Sequence, residues 1–482
     1  MVDTLGGPEG HAEVGRFKAQ YDPGSLFWVN CNITPLPRTE TGRPPGYASL
    51  VTVAEYPVDE AERHMAFCRQ VRAAFPAPGR GWEPEFRDVV AIVSSSRGGS
   101  SLLFDLLRTT GAFLCLEGEH STLYKLHGLG LPPDPDSDDG CISPDGDAPG
   151  LLSSLAADLT VSSSSACGVE DYVTRVVRAL AQQWPGSPLT PAEIFQVAHD
   201  TAGRLPRARS GRVMLAIVRE LRARGWPINP WYFDLPGPLI RREFPEIVLP
   251  QGPPPALGRS LEAPPFLVPR PARIPVEADA GRPLLLKASM DAYRIPFLRR
   301  LFPDARLRII HLTRNPAAAI NGMIDGWLHH GFFSHNLAGR AVLTIDGYVG
   351  WWAGSWWNFD LPPGWRCLVT QPLASVCAAQ WAAAHNAILA DLPGQDAQIA
   401  RVRAEDVLNA RRRRRTITQL LEFCAVCPAA PPRARIVLAT DYPKPARWHA
   451  RAAQLESVLA DPVIRECSGR LGYGPLPTTD WT

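Results

Sequence analysis

The sequence predicts an α/β fold, a parallel sheet flanked by helices and enlarged by long insertions. Three observations carry this. Apolar β-forming runs, "VVAIV" at 89–93, "PLLLK" at 283–287, "RLRIIHLT" at 306–313 and "IARVRAED" at 399–406, alternate with segments of helical pattern. The two strongest runs lead straight into a polar turn and then a helix, as parallel strands joined by crossovers do. The 49 prolines cluster in stretches such as "GLPPDPDSDDG" and "LPQGPPPALGRSLEAPPFLVPRPARIPVE", which read as irregular connections running over the surface.

Taken in order, residues 1–87 form an N-terminal extension that starts irregularly. It then gives a helix, "DEAERHMAFCRQVRAAF", acidic in its first turn and basic later, as the helix dipole favours. Residues 88–482 form the main domain. Val89–Val93 reads as a buried parallel strand and Ser101–Thr109 as the helix after it. Residues 128–170, rich in Pro, Gly, Ser and Asp, read as loop, followed by helices at 169–184, 190–204 and 210–224 and a proline-rich passage to about 283. After "PLLLK" come the helix-like "DAYRIPFLRRLF" and the strand 306–313. Helical patterns at 373–391 and 415–425 flank the strand-like "IARVRAED". Insertions are expected at 128–284 and 331–377, and no internal repeat is visible.

Composition narrows the function. A chain of 482 residues with 45% hydrophobic and 20% charged residues can bury a large core. Its formal net charge of +2 argues against nucleic acid or an anionic membrane as a partner held by bulk charge. The start, "MVDTLGGPEGHAEVGRFKAQYDPG", lacks the pattern of a secretory signal, and no uncharged apolar run approaches the roughly 18 residues of a membrane helix. The ten cysteines are scattered, which fits reduced thiols in the cytoplasm. Cys424 and Cys427 form a lone CxxC; a zinc ribbon needs a second pair, so these read as core thiols at a helix end.

The first candidate site is "VVAIVSSSRGGSSLLFDLL", Val89 to Leu107. A strand that ends in a Gly-rich turn and opens a helix aims backbone N–H groups and the positive end of the helix dipole at one spot, which suits an anion. Gly98 and Gly99 let the backbone close on a phosphate, Ser100 and Ser101 add hydroxyl donors, and Arg97 adds a permanent cation. A serine-rich turn with an exposed arginine would show the same letters. The loop lacks the GK[ST] of a nucleotide-hydrolysing P-loop, and no aspartate-ended strand offers a magnesium ligand, which disfavours kinase or NTPase chemistry. The second site, "ARLRIIHLTRNPAAAINGMIDGW", repeats the geometry: the strand ends at Thr313, Arg314 follows, Asn315 is an N-cap and Pro316 fits the first helical turn. Two arginine-bearing strand ends suggest a ligand with phosphate at both ends.

On these residues the chain resembles the sulfotransferases that use 3′-phosphoadenosine 5′-phosphosulfate (PAPS). Their first strand–loop–helix, R-S-G-[ST]-[ST], binds the 5′-phosphosulfate and is matched by Arg97, Gly98, Gly99, Ser100 and Ser101, with glycine for serine at 98. Their later R-[ND]-P, which binds the 3′-phosphate, is matched by Arg314, Asn315 and Pro316. "KASMDAYRIPFLRRLFPDARLRIIHLTRNP" resembles the family's lysine, helix, "FPDA" and strand, and aligns Lys287. "QWAAAHNAILADLPGQDAQIARVRAEDVL" is similar to its tryptophan-led helix and "YEDL" strand, with Ala404 for tyrosine. "DYPKPARWHARAAQLESVLADPVIRECSGRLGY" is similar to its C-terminal lysine, here Lys444, and its final "LGY". The matches cover roughly a third of the chain, in order. One position departs: the family's serine eight residues after the second arginine is Gly322 here, leaving Asn321 as the substitute.

The resemblance implies a P-loop-like sulfotransferase fold and an enzyme that moves a sulfuryl group from PAPS to a hydroxyl or amine of a small-molecule acceptor. Adenosine 3′,5′-bisphosphate would be released, with Arg97 and the hydroxyls stabilising charge on the bridging oxygen and no metal required. A general base near the acceptor is expected in "FLCLEGEHSTLYKL": Glu119 first by resemblance, then Glu117, then His120, with His311 or an insertion residue as the alternative. Lys287 joins Arg97 and these three as a candidate catalytic residue.

Other features read more plainly. The five tryptophans of "GYVGWWAGSWWNFDLPPGW" could wall an acceptor or simply pack. The histidines of "DGWLHHGFFSH" lack carboxylate or cysteine partners at ligand spacing. "RRRRR" at 411–415 reads as a solvated helix start. High Ala, Arg and Pro usage without a signal suggests a bacterial cytoplasmic enzyme, one acting on a natural-product intermediate. A nucleotide-dependent kinase, or a non-catalytic nucleotide-binding protein of the same fold, is the rival reading. The acceptor and the oligomeric state are not written in the sequence.

Overall fold

A computed structural model describes residues 58–76, 82–129, 146–162, 168–206, 209–254, 261–270, 272–392, 398–433, 437–441 and 444–474. The irregular start before residue 58 and the "LPPDPDSDDG" stretch lie outside them. Five parallel strands form the central sheet: β1 (Asp88–Val93), β2 (Leu114–Cys115), β3 (Leu284–Lys287), β4 (Arg306–Thr313) and β5 (Ile399–Arg403). Their order is β2-β3-β1-β4-β5. In register, Val89 lies opposite Leu284 on one side and Leu307 on the other. The central strands therefore end side by side at one edge, where open parallel sheets collect their ligand loops.

The strands are apolar throughout because both faces are covered. Val89, Ala91 and Val93 point into one core with Leu284, Leu286 and Ile309, while Val90 and Ile92 point into the other with Leu285, Ile310 and Leu312. The larger core is built by α1 (Val58–Ala74), α3 (Ser121–Leu126), α4 (Ala148–Asp158), α5 (Val169–Gln183), α6 (Pro191–Gly203), α7 (Ser210–Ala223), α8 (Pro316–Trp327) and α9 (Leu373–Asp391). The smaller is built by α2 (Ser100–Arg108) and α10 (Ala410–Phe423). On α2 the buried Leu103, Leu106 and Leu107 pin the helix to the sheet, each worth about 1.5–3 kcal/mol. That fixes where its N-terminus, and the loop before it, must lie.

Three sequence expectations change. The stretch 128–170 contains α4, which the Pro/Gly/Ser-rich composition hid: Asp147 caps it by accepting from the Gly150 N–H at 2.8 Å, and Pro149 sits in its first turn. The helix expected at 415–425 begins at Ala410, because Asn409 accepts from the N–H groups of Arg411 and Arg412, so the arginine run lies inside the first turns. Of the CxxC pair, Cys424 is buried but Cys427 is exposed, so only one is a core thiol. No helix among the described residues is long and apolar enough to cross a membrane.

Candidate active site

The loop after β1 turns sharply, and two backbone requirements explain its letters. Gly99 caps α2 with φ at 94°, a left-handed conformation that costs glycine little. Gly98 is required by space: a Cβ there would lie 2.0 Å from Ser94 Oγ and 2.8 Å from the Ser95 carbonyl oxygen. The glycine that replaces the expected serine at 98 is therefore set by the closeness of the Ser95 carbonyl, since the Ser94 hydroxyl can rotate away. No side chain caps α2; the Leu102 and Leu103 N–H groups donate to the Gly99 carbonyl, which leaves those of Ser100 and Ser101 for a ligand.

The loop after β4 is its neighbour. Asn315 accepts from the N–H groups of Ala317 at 3.0 Å and Ala318 at 3.5 Å, with Pro316 in the first turn, as its sequence requires. Buried Glu405, in the short helix Ala404–Leu408 that follows β5, accepts from the Asn315 N–H at 2.8 Å and from the Tyr473 hydroxyl at 3.0 Å. Both loops open into one cavity of about 410 Å³, lined by Ser96, Arg97, Gly99, Ser100, Ser101, Arg314, Asn321, Gly322 and Lys444, together with Glu117, Glu119 and Lys287. Two motifs some 220 residues apart in sequence thus share one space because β1 and β4 are adjacent.

The arginines differ in how they are held. Arg97 is left-handed, φ 59°, and its guanidinium bridges the molecule: Nε donates to the Gly322 carbonyl at 3.3 Å, Nη1 to that of Leu438 at 2.5 Å and Nη2 to Thr440 Oγ1 at 3.3 Å. It also lies 4.9 Å over the Phe332 ring. Burial, then the charge of Arg314, lowers its pKa to about 10, with Asp325 opposing. Arg314 Nη1 donates to the Arg97 carbonyl at 2.8 Å, but its Nε is buried without a partner among the described residues. Burial lowers its pKa, against the pull of Glu405. A half-buried arginine whose Nε is a buried spare donor, beside a second half-buried arginine, is a site in want of an anion. Asn321, by contrast, spends its side-chain oxygen on Arg451 at 2.6 Å, and Gly322 offers its carbonyl to Arg97.

At the end of β3, Lys287 donates to Ser101 Oγ at 3.1 Å and forms an ion pair with Glu119. Glu119 also accepts from the Ser289 N–H at 3.2 Å. The other two candidate bases go elsewhere. Glu117 pairs with Arg175 and accepts from the Arg270 N–H, bracing the cavity wall. His120 is buried off the cavity, 2.9 Å from the Tyr124 hydroxyl and 3.0 Å from Asp291. His311 is buried in the core against His385 at 3.0 Å, and burial holds it well below the usual range. Lys444 lines the cavity at its exposed rim.

Two residues that the sequence did not single out belong here. Asp360, buried, accepts from Ser96 Oγ at 3.1 Å and from the Tyr293 hydroxyl at 2.6 Å, tying the second insertion to the first loop. Asp325 pairs with Arg447 at 2.8 Å and Arg451 at 2.6 Å beneath Asn321. Neither stands in a recognisable motif; both are visible only once distant segments meet. Of the five clustered tryptophans, Trp352, Trp356, Trp357 and Trp365 are buried in packing and Trp351 is exposed, and none lines the cavity. Among the described residues no group of three or more His, Cys, Asp or Glu is arranged to hold a metal ion.

No protein-family model matches the chain, and no curated protein matches its sequence. Among solved structures it aligns with a sulfotransferase domain from the curacin biosynthetic pathway at 13% identity and a TM-score of 0.30, over 81% of this chain and 99% of that one. It also aligns with a sulfotransferase domain from the Synechococcus PCC 7002 olefin synthase at 12% identity and a TM-score of 0.31, over 82% and 99%. Similarity this distant says nothing of substrate, so the chemistry has to come from the residues of the cavity.

Proposed function

We propose that this chain is a PAPS-dependent sulfotransferase that acts on a hydroxyl or amine of a small-molecule acceptor in the cytoplasm. The observation that supports the reading is a single cavity joining the two arginine-bearing strand ends to the Lys287–Glu119 pair. Arg314, with its spare buried donor, would hold the 3′-phosphate. The uncapped start of α2 with Ser100 and Ser101 would hold the 5′-phosphosulfate, and Arg97 would fix the loop's shape and add charge beside it. In the transfer, the bond from sulfur to the bridging oxygen breaks and one to the acceptor forms. Negative charge then grows on the bridging oxygen, where Lys287 and Ser101 stand ready as donors.

The acceptor's proton goes to a carboxylate, and Glu119 is the one beside Lys287 and Ser101. As Lys287 turns toward the leaving oxygen, Glu119 is released from its ion pair to take the acceptor's proton. The insertions supply the acceptor's side of the cavity, with Gln183, Leu261, Pro264, Phe332 and Phe359 among its lining. The reading is tested by incubating the chain with sulfur-labelled PAPS and a mixture of small phenols, alcohols and amines. Label should move to an acceptor, and Lys287→Ala should slow it at least 100-fold. Transfer undiminished in Lys287→Ala would contradict the proposed role of this pair.

A further inference from the structure

The acceptor end of the cavity carries a carboxyl that nothing above uses. Glu262, in the first insertion, lines the cavity between Leu261, Pro264, Pro265 and Leu267. Its side chain is fixed by neutral donors: Gln183 Nε2 donates to Oε2 at 3.1 Å, and the Leu267 N–H to Oε1 at 3.4 Å. Gln183 is itself anchored, donating also to the Leu267 carbonyl at 3.2 Å. Of the other cavity carboxylates, Glu117 pairs with Arg175, Glu119 with Lys287, Asp158 with Arg72 and Arg178, and Asp441 with Arg447; Asp360 accepts from Ser96 and Tyr293, and Asp171 stands in the first turn of α5. Among the described residues no cation forms an ion pair with Glu262.

We propose that Glu262 seats the ammonium group of an amine-bearing acceptor whose apolar body fills the cavity and whose hydroxyl reaches Ser101 and Lys287. This substrate class rests on the sulfotransferase reading; the cation-binding carboxyl does not. Each oxygen of Glu262 already receives one neutral hydrogen bond, and each keeps a lone pair for a further donor. An apolar wall makes an uncompensated carboxylate costly, and a bound cation removes that cost. The group's titration agrees: burial and the charge of Glu119 push it up to about 7, against Gln183, Leu267 and Lys125. The same cavity is lined by Arg97 and Arg314 on the two strand-end loops and by Glu262 in the first insertion, so it offers an anion-binding group and a cation-binding group together.

The probes are tyramine and 4-ethylphenol, which share ring and hydroxyl and differ in the amine. Calorimetry on the full chain, with and without adenosine 3′,5′-bisphosphate, should show tyramine binding at least tenfold tighter. Glu262→Gln should bring that ratio near one, leave 4-ethylphenol binding unchanged and raise the melting temperature at neutral pH, because it removes a carboxylate that burial disfavours. Equal affinities in the wild type, or a preference that persists in Glu262→Gln, would overturn the proposal, and the first of these needs no variant. If the tyramine preference holds but the bisphosphate does not bind, the carboxyl site stands and the sulfotransferase reading falls.

Discussion

In the proposed function, Arg314 is the residue on which donor binding most depends. The arginine is half-buried, its Nε is buried and unpartnered among the described residues, and a bound anion would satisfy it. Arg314→Ala should weaken adenosine 3′,5′-bisphosphate by about 10- to 100-fold, the loss of a charged hydrogen bond of about 1.5–3 kcal/mol. Arg314→Lys should recover only part of this, because an ammonium cannot reproduce the fork. The two glycines that depart from the expected serines behave oppositely. Gly98→Ala drives a Cβ to 2.0 Å from Ser94 Oγ and should cost about 1–3 kcal/mol in urea unfolding. At Gly322 a Cβ would meet nothing nearer than Arg97 Cβ at 3.5 Å, so Gly322→Ser should fold with stability within about 0.5 kcal/mol of the wild type. The sequence shows glycine at both places; only the packing shows that one is obligatory and the other free to change.

At the scale of elements, strands and long helices were legible because their apolar spacing is decided locally. The strand 306–313 and the helix 373–391 fall where the pattern puts them, and the turn chemistry of Asn315 and Pro316 reads directly. Elements shaped by partners far away were not. Asp360 follows a tryptophan cluster, and its meaning comes from Ser96, more than two hundred residues earlier. Asp360→Asn keeps the shape but exchanges a charged acceptor for a neutral one; it should loosen the Ser96 turn and weaken bisphosphate binding severalfold, read by calorimetry.

Buried histidines tie elements to pH. Burial lowers the pKa of His330 to about 4 and of His385 to about 3, and holds His329 and His311 well below the usual range. Their unfolded values lie near 6.5, so stability is full above that and falls as pH drops toward the folded values. Glu262 opposes this between about pH 7 and 4.5, because its carboxyl takes up a proton in the folded state first. Asp279, held low by Arg273 and Arg282, contributes a loss only below about 3.8. His330→Phe keeps the ring stacked on His329, 4.2 Å away, and should flatten the fall in melting temperature between pH 6.5 and 4.5. An unchanged slope would mean the loss comes from elsewhere.

At the scale of the whole molecule, adjacent parallel strands bring two distant arginine loops to one cavity, which in the proposed function binds phosphate at both ends of a nucleotide. The motifs were readable, but their meeting is a property of strand order, which no local pattern records. Arg97 adds to this by bridging the first loop, α8 and the segment 437–441. The most direct measurement is calorimetric binding of adenosine 3′,5′-bisphosphate in the presence of EDTA, against ATP with magnesium, on the wild type, Arg97→Ala and Arg314→Ala. Tight metal-independent binding of the bisphosphate, preferred over magnesium-ATP and weakened by both substitutions, is the predicted result. Failure of the bisphosphate to bind, or a preference for magnesium-ATP that neither substitution disturbs, would contradict it.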